Sequence, residues 1–421
     1  MESIKRNEIG KGVYFTTINT NKFKTTRLTV SFIVPLTKED AVSNTLVSAI
    51  LTRSTKSYPS YTILSKKLCE LYGANLSTSV RKSGDNQVIS FVISGIDDKY
   101  AFQGDRVLED MSKLLCDVIF NPKLDGEAFC QEEYNQERRQ FQDALDSEFN
   151  NKRTYLINKA TEVMCSNEPY GLSRIGTAED AEKTTPANLY QKWQSLMDNS
   201  RVEIFYVGES SSEKSESIFA ECFANENRTF PSVNSSVVYD VKEVKNKKEV
   251  LDITQSKMFM GFRTGKESTT RDIMAMRLAV TILGGTAHSK LFNNVREKLS
   301  LCYYCSARYV KPKGIMIVDS GVEKENIDKA QKAILAEIED MKNGNITDFE
   351  IDSAKLSLCN DFVSLTDSES GLENWYFAQA LCDSIISPNE VCDIVKEITK
   401  EEIVEKSKKF LLDTIYVLES K

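Results

Sequence analysis

The succession of apolar patterns over residues 25–118 returns over residues 252–341, and a chain that repeats itself at this distance has few folds open to it. In the first half, "TTRLTVSFIVPL" reads as a strand rich in β-branched residues. Thr37 with Asp40 then resembles a helix cap, and Val42, Leu46, Ala49 and Ile50 share one helical face. A second helix carries Tyr61, Leu64, Leu68 and Leu71 and stops at Gly73. Strands follow near Asn75 to Arg81 and Gln87 to Ser94, and Val107, Leu108, Met111, Leu115 and Val118 mark a third helix. In the second half, "DITQSKMFMGFR" is the strand, Ile273, Met276, Val280 and Leu283 the first helix, and Leu291, Val295 and Leu299 the next. "LCYYCSARYV" and "GIMIVDSG" are strands, and Ile327, Ala330, Ile334, Ile338 and Met341 form a helix stripe. Landmarks align at a near-constant offset: Glu70 with Glu297, and Ser94-Gly95 with Ser320-Gly321. That period is too long for a solenoid, so the repeat predicts two homologous α+β domains, each a sheet with helices packed on it.

A length of 421 residues accommodates two cores of ordinary size. We place the domains at 1–228 and 250–421, with 229–249 between them, because "TFPSVNSSVVYDVKEVKNKKE" mixes Pro, Ser, Asn and lysines without periodicity. With 41% apolar and 28% charged residues the composition is that of a globular protein. A net charge of -8 argues against a general nucleic-acid or anionic-membrane binder. The opening "MESIKRNEIGKG" has no apolar h-region, and no apolar run approaches the length of a membrane span. A cytoplasmic location is expected.

Ten scattered cysteines do not form the framework of a small secreted scaffold and are expected as reduced, half-buried thiols. Cys302 and Cys305 make a CxxC, but no second pair or histidine cluster completes a zinc set. In a regular strand the two would face opposite sides of the sheet.

The duplication together with "GGTAHSKLFNNVREKLSLCYY" resembles the insulinase-like peptidases, the family of pitrilysin and the mitochondrial processing peptidases. "FNPKLDGEAF", "EPYGLSRIGTAED" and "VEIFYVGE" are similar to further family landmarks in the same order. The resemblance covers nearly the whole chain. It implies a LuxS/processing-peptidase-like metallohydrolase fold, with the two domains arranged as a clam. More narrowly, the missing zinc motif and the segment from "FNNK" to "EPYG" resemble a bacterial branch associated with 5-aminopentanol modification of elongation factor P.

Catalytic members of this family bind zinc through an H-x-x-E-H helix and a distal glutamate. The matching helix here is "DAVSNTLVSAILTRSTKSYPS", which puts Thr45 and Ala49 where the histidines would be and Ser48 at the glutamate. Two hydroxyls and a methyl cannot replace two imidazoles and a carboxylate as ligands and base. Glu137 falls near the distal ligand but, as a carboxylate on a charged helix, is expected on the solvated surface. The one histidine, His288, belongs to the other half and is expected on the surface of the Gly-Gly loop. No metal or other cofactor is therefore expected in this chain; zinc would belong to a partner.

The resemblance also implies a role for an Arg and a Tyr seven residues apart, here Arg296 and Tyr303. A guanidinium can grip peptide carbonyls or a carboxylate through paired hydrogen bonds, and a phenol can donate to an oxyanion. Tyr304 competes with Tyr303 if the register moves by one, and only one of these neighbours can face a given side. Gly284, Gly285 and Ser289 are candidate substrate-binding residues, although glycines there can equally end a helix. Three functions follow. The leading one is a non-catalytic subunit of a heteromeric zinc endopeptidase, acting on peptide or unfolded polypeptide. The second is a non-proteolytic peptide-binding or scaffold protein, for which a homodimer stays open. The third, a cysteine enzyme using Cys302 or Cys305, lacks a placed histidine base.

Overall fold

The computed structural model describes residues 3–382 and 385–421. In chain order the strands are β1 Ser3–Gly10, β2 Val13–Asn19, β3 Thr25–Pro35, β4 Asn75–Ser83, β5 Asn86–Ile96, β6 Arg201–Gly208, β7 Lys245–Leu251, β8 Ser256–Arg263, β9 Cys302–Val310, β10 Ile315–Val322 and β11 Leu411–Ser420. The helices used below are α1 Lys38–Leu51, α2 Tyr61–Glu70, α3 Val107–Phe120, α4 Gln131–Asn150, α5 Lys152–Met164, α6 Thr270–Gly284, α7 Ile327–Lys342, α8 Asp348–Ser364, α9 Glu369–Ala380 and α10 Lys400–Ser407.

The repeat is visible in the pairing. One sheet runs β1-β2-β6-β3-β5-β4 and the other β7-β11-β8-β10-β9. In the first, β2 lies parallel to β6 while β6, β3, β5 and β4 alternate; in the second, β7 lies parallel to β11 while β11, β8, β10 and β9 alternate. Strand for strand, β2–β6 become β7–β11, and β1 is an addition. The two halves even share a strained turn: among the described residues the non-glycine residues with positive φ are Tyr72 and Ser300, each just before its edge strand. Residues 245–249, read as part of the 229–249 segment, are already strand β7, paired along β11.

The amphipathic helices fall where their stripes predict. Thr37 caps α1 by accepting from the Asp40 amide, and Val42, Leu46, Val47 and Ile50 enter the core. The stripe at Leu291 and Val295 does not form an α-helix. Leu291–Lys298 winds as a π-helix, with both of these side chains fully buried, and Leu299, beyond its last turn, is exposed.

Two compact units emerge, and neither is a continuous stretch of chain. The first comprises residues 1–146, 172–234 and 365–385; the second comprises 147–171, 235–364 and 386–421. In the first, α9 lays Leu372, Tyr376, Phe377 and Ala380 against Ile18, Ile33, Val88, Phe205 and Val207 of the sheet. In the second, α5 lays Leu156, Ala160 and Met164 against Phe259, Ile315, Ile317 and Leu418. Each half of the sequence thus lends the other a helix that covers one face of its sheet. Among the described residues no helix is long and apolar enough to cross a membrane.

Candidate functional site

The region that matches a metal-binding helix is α1, and its chemistry has been turned inward. Thr45 donates its hydroxyl to the Ala41 carbonyl and Ser48 donates to the Thr45 carbonyl, both at 2.8 Å. Their protons are committed to the helix, and a neutral alcohol oxygen is in any case no substitute for the imidazole, thiolate or carboxylate donors that zinc takes. Ser48 is also buried. Ala49 contributes only a methyl, to the wall of a cleft of about 330 Å³ shared with Arg53, Tyr61, Leu68, Leu76 and Glu137.

Arg53 stands four residues after Ala49, in the turn that follows α1, and lines the same cleft. Its Nε donates to the Glu137 carboxylate on α4, and its guanidinium lies over the Tyr61 ring, 5.3 Å from the centroid. Glu137 is 5% exposed, which corrects the expectation of a solvated carboxylate. The polar character of α4 suggests surface, but a carboxylate with a guanidinium bonded to it can be buried. The neighbouring Ser54 hydroxyl donates to Glu133 at 2.7 Å, a second tie between the end of α1 and α4. The cleft therefore holds a cation fixed by covalent bonds where a metal would need ligands. Among the described residues no group of three or more His, Cys, Asp or Glu side chains could hold a metal ion. Zinc does not fit this donor set.

In the second unit the pair expected from the sequence lies on the π-helix and on β9. The Arg296 guanidinium stacks on Phe292 at 4.5 Å and lies 3.5 Å from Glu297, with its side chain 38% exposed. Tyr303 is 59% exposed and donates to Glu323 at 2.5 Å. The bond to Glu323 raises the phenol's pKa, since the carboxylate favours the protonated form. Tyr304 turns elsewhere. Its ring packs 4.8 Å from the Arg153 guanidinium and 5.6 Å from the Lys257 ammonium, and burial pushes its pKa up to about 12.

A bulge explains this division. Gly321 pairs with Tyr304 and Val322 with Cys302, so Tyr303 is the extra residue of β9. The extra residue re-aims its side chain outward and shifts the phase of everything before it. The expectation that Cys302 and Cys305 face opposite sides is corrected for the same reason: both are buried, and each thiol shifts the other's pKa. Their mutual influence lowers the Cys302 pKa and raises that of Cys305. Cys302 and Cys305 are not joined by a disulfide.

The glycine turn and Ser289 have packing roles. Gly284 is buried, and a Cβ there would come within 2.7 Å of the Ala307 amide nitrogen on β9. Gly285 caps α6 by donating to the Thr281 carbonyl. Ser289 is 2% exposed and donates to the Thr286 carbonyl at 2.6 Å. Substrate contact expected at Gly284 and Ser289 is therefore corrected, since both face the interior; Gly285 remains exposed. His288 is exposed, with its ring edge-on to Phe349 at 5.7 Å. Sequence reasoning missed Arg53, although its place one turn beyond Ala49 was a usable signal.

The chain's relatives carry the same reading. Residues 183–358 match the family model described as Peptidase M16 inactive domain. A Bacillus subtilis (strain 168) protein named Probable inactive metalloprotease YmfF is 31% identical over 401 residues, 95% of this chain and 94% of that protein. The chain is also similar in structure to a conserved protein from Enterococcus faecalis V583, with a TM-score of 0.89, 27% identity and 99% of each chain covered. A peptidase M16 inactive domain from Pseudomonas fluorescens shares the fold at a TM-score of 0.81 and 16% identity, over 100% of this chain and 98% of that one. With the repeat, the two sheets and an α1 stripped of metal ligands, this chain belongs to the M16, or insulinase-like, peptidase family as one of its non-catalytic members.

Proposed function

We propose that the chain is the non-catalytic subunit of a heteromeric zinc endopeptidase, working in the cytoplasm on peptides or unfolded polypeptide. The partner supplies the H-x-x-E-H helix and its zinc, and this chain supplies Arg296 and Tyr303. The observation that carries the reading is the contrast between the two halves. The α1 positions offer no zinc ligand, whereas Tyr303 is bulged outward and exposed, with Arg296 on the neighbouring π-helix. On substrate binding the phenol would exchange its bond to Glu323 for one to the oxyanion that forms when water attacks a peptide carbonyl. The half-exposed Arg296 can hold the carbonyls of the same substrate through its guanidinium fork.

Alone, the purified chain is expected neither to retain stoichiometric zinc after dialysis nor to cleave unfolded polypeptide. Mixed with an H-x-x-E-H partner recovered by co-purification, Tyr303→Phe is expected to lower kcat roughly 10²-fold, as loss of one oxyanion donor does. Arg296→Ala is expected to raise KM, with assembly intact by light scattering. Unchanged turnover in both variants would overturn the in-trans role. Failure to recover such a partner, with self-association instead, would favour a scaffold.

A further inference from the structure

Cys359 and Cys392 stand on two helices of the second unit, α8 and the short helix Pro388–Glu397. Where these helices meet, the Cys359 thiol donates to the Cys392 carbonyl and the Cys392 thiol donates to the Cys359 carbonyl, both at 3.7 Å. One turn away, the Lys355 ammonium donates to the Lys396 carbonyl at 2.8 Å. The contacts share one antiparallel register: four residues back along α8, from Cys359 to Lys355, match four residues forward along its neighbour, from Cys392 to Lys396. Each helix is anchored by apolar residues that it buries, Leu358 and Phe362 on one and Val391 and Val395 on the other. Cys359 therefore faces Cys392 because of how two helices pack, and not through the choice of one rotamer.

Neither thiol is in a disulfide, and the proposed peptidase role uses neither. Thiol-to-carbonyl contacts of this length are weak, so turning a side chain from the carbonyl toward the other sulfur gives up little. The two thiols differ in access. Cys359 is half-buried, whereas Cys392 is 5% exposed and burial pushes its pKa up to about 11. A solution oxidant thus meets Cys359 first, with Cys392 held behind it as a protonated thiol.

We propose that Cys359 and Cys392 form a peroxide-sensitive disulfide that staples α8 to the helix Pro388–Glu397. The Cys359 thiolate attacks one oxygen of the peroxide, the O–O bond breaks, and the departing hydroxide takes up a proton as water; Cys359 is left as a sulfenic acid. The Cys392 sulfur then attacks the Cys359 sulfur, the S–O bond breaks, and the Cys392 proton leaves with the hydroxyl as a second water. Two thiols lose two electrons and two protons, and one peroxide is reduced to two waters. In a reducing compartment such a bond forms under oxidant and is reopened by small thiols. The closed ring contains residues 365–385, the segment that carries α9 to the first sheet. Oxidation thus fixes the points at which the lent segment leaves the second unit and returns to it. The site is independent of the peptidase-subunit reading and involves neither Arg296 nor Tyr303.

The experiment is titration of the reduced full chain with hydrogen peroxide, followed by alkylation of the remaining thiols and peptide mapping by mass spectrometry. A crosslinked peptide pair containing Cys359 and Cys392 is expected, and dithiothreitol is expected to remove it. Cys392→Ser halts the reaction after its first step, so dimedone is expected to label Cys359 in that variant. The two cysteines are 33 residues apart in sequence, and closing a ring of that size is expected to raise Tm by about 5–15 °C in the unmodified chain and not in Cys392→Ser. The peptide map of the unmodified chain does not depend on any variant folding. Peroxide that leaves both thiols free to alkylate, joins either to a different cysteine, or carries Cys359 to a sulfinic acid without a crosslink overturns the proposal. A crosslink that leaves Tm unchanged overturns its role as a staple.

Discussion

Replacing Arg53 by Met removes a charge and keeps much of the side chain's volume, so it isolates the role of the guanidinium beside Glu137. The carboxylate is 5% exposed and the arginine side chain 16%, which puts the pair in the range of buried rather than surface ion pairs. Removing one member of such a pair leaves the other as an uncompensated buried charge, at a cost of about 3–5 kcal/mol. The same change in a solvated pair costs about 0–1 kcal/mol. For a unit of roughly 200 residues, each kcal/mol moves Tm by about 2–4 °C, so Arg53→Met is expected to lower the transition of the first unit by about 6–20 °C. The double variant Arg53→Met with Glu137→Met substitutes an apolar pair of similar bulk and is expected to recover most of that loss, because neither charge then needs a partner. Chemical denaturation of the single and double variants closes the cycle, and the coupling energy is expected to be several kcal/mol. A single-variant loss below about 1 kcal/mol, or strict additivity in the double variant, would refute the view that Arg53 is what permits Glu137 to be buried.

Two further outcomes follow from the fold and its charges. A fragment of residues 1–228 lacks α9 and so uncovers Ile18, Ile33, Val88, Phe205 and Val207. Losing Leu372, Tyr376 and Phe377 from that face removes about 5–9 kcal/mol of burial, comparable with the whole stability of a domain. The fragment is expected to aggregate, and to regain solubility and a cooperative transition when residues 365–385 are restored by fusion; a stable, soluble 1–228 would count against the exchange of helices. In the second unit, the hydrogen bond from Arg271 on α6 holds the Glu402 carboxyl on α10 down at about 2. Because the folded value lies below the unfolded one, the stabilisation is full above about pH 4.3 and fades as pH falls toward 2. Both side chains are a third or more exposed, so Arg271→Ala is expected to change stability little at neutral pH and to flatten the acid limb between those values. An unchanged acid limb in urea titrations across that range would rule the pair out as a contributor.

What the sequence revealed and what it concealed divide along a physical line. Patterns internal to one element were legible: the strand at Thr25–Pro35, the stripes of α1, α3 and α7, and the order of strands that made the repeat apparent. These depend on which residues are apolar and how they are spaced. Features set by what an element meets were not legible. The apolar faces of α5 and α9 can be read from their own residues, but nothing in a stripe such as Leu372, Tyr376, Phe377 and Ala380 says which half's sheet it covers. The bulge at Tyr303 depends on how β9 registers against Gly321 and Val322, and one inserted residue in that ladder reverses the side on which Cys302 lies. The π-helix presents the same apolar residues as an α-helix and differs only in its winding.

The candidate site shows the same division more sharply. That α1 lacks ligands follows from the identities of Thr45, Ser48 and Ala49 alone, because no fold can turn a methyl into a nitrogen donor. That its place is filled does not follow, since Arg53 and Glu137 are 84 residues apart and each, taken singly, reads as ordinary surface charge. Their pairing nevertheless matters more for function than the missing residues. A cleft that merely lacked ligands would leave Glu137 with a charge seeking a cation, and could take up an adventitious ion. A cleft whose carboxylate is already bonded to a tethered guanidinium repels one, since an entering dication must displace Arg53 while offering it no new anion. Resistance of this cleft to metal is thus expected from what is present in it and not only from what is missing, which is why the proposed heteromeric function assigns the metal to the partner.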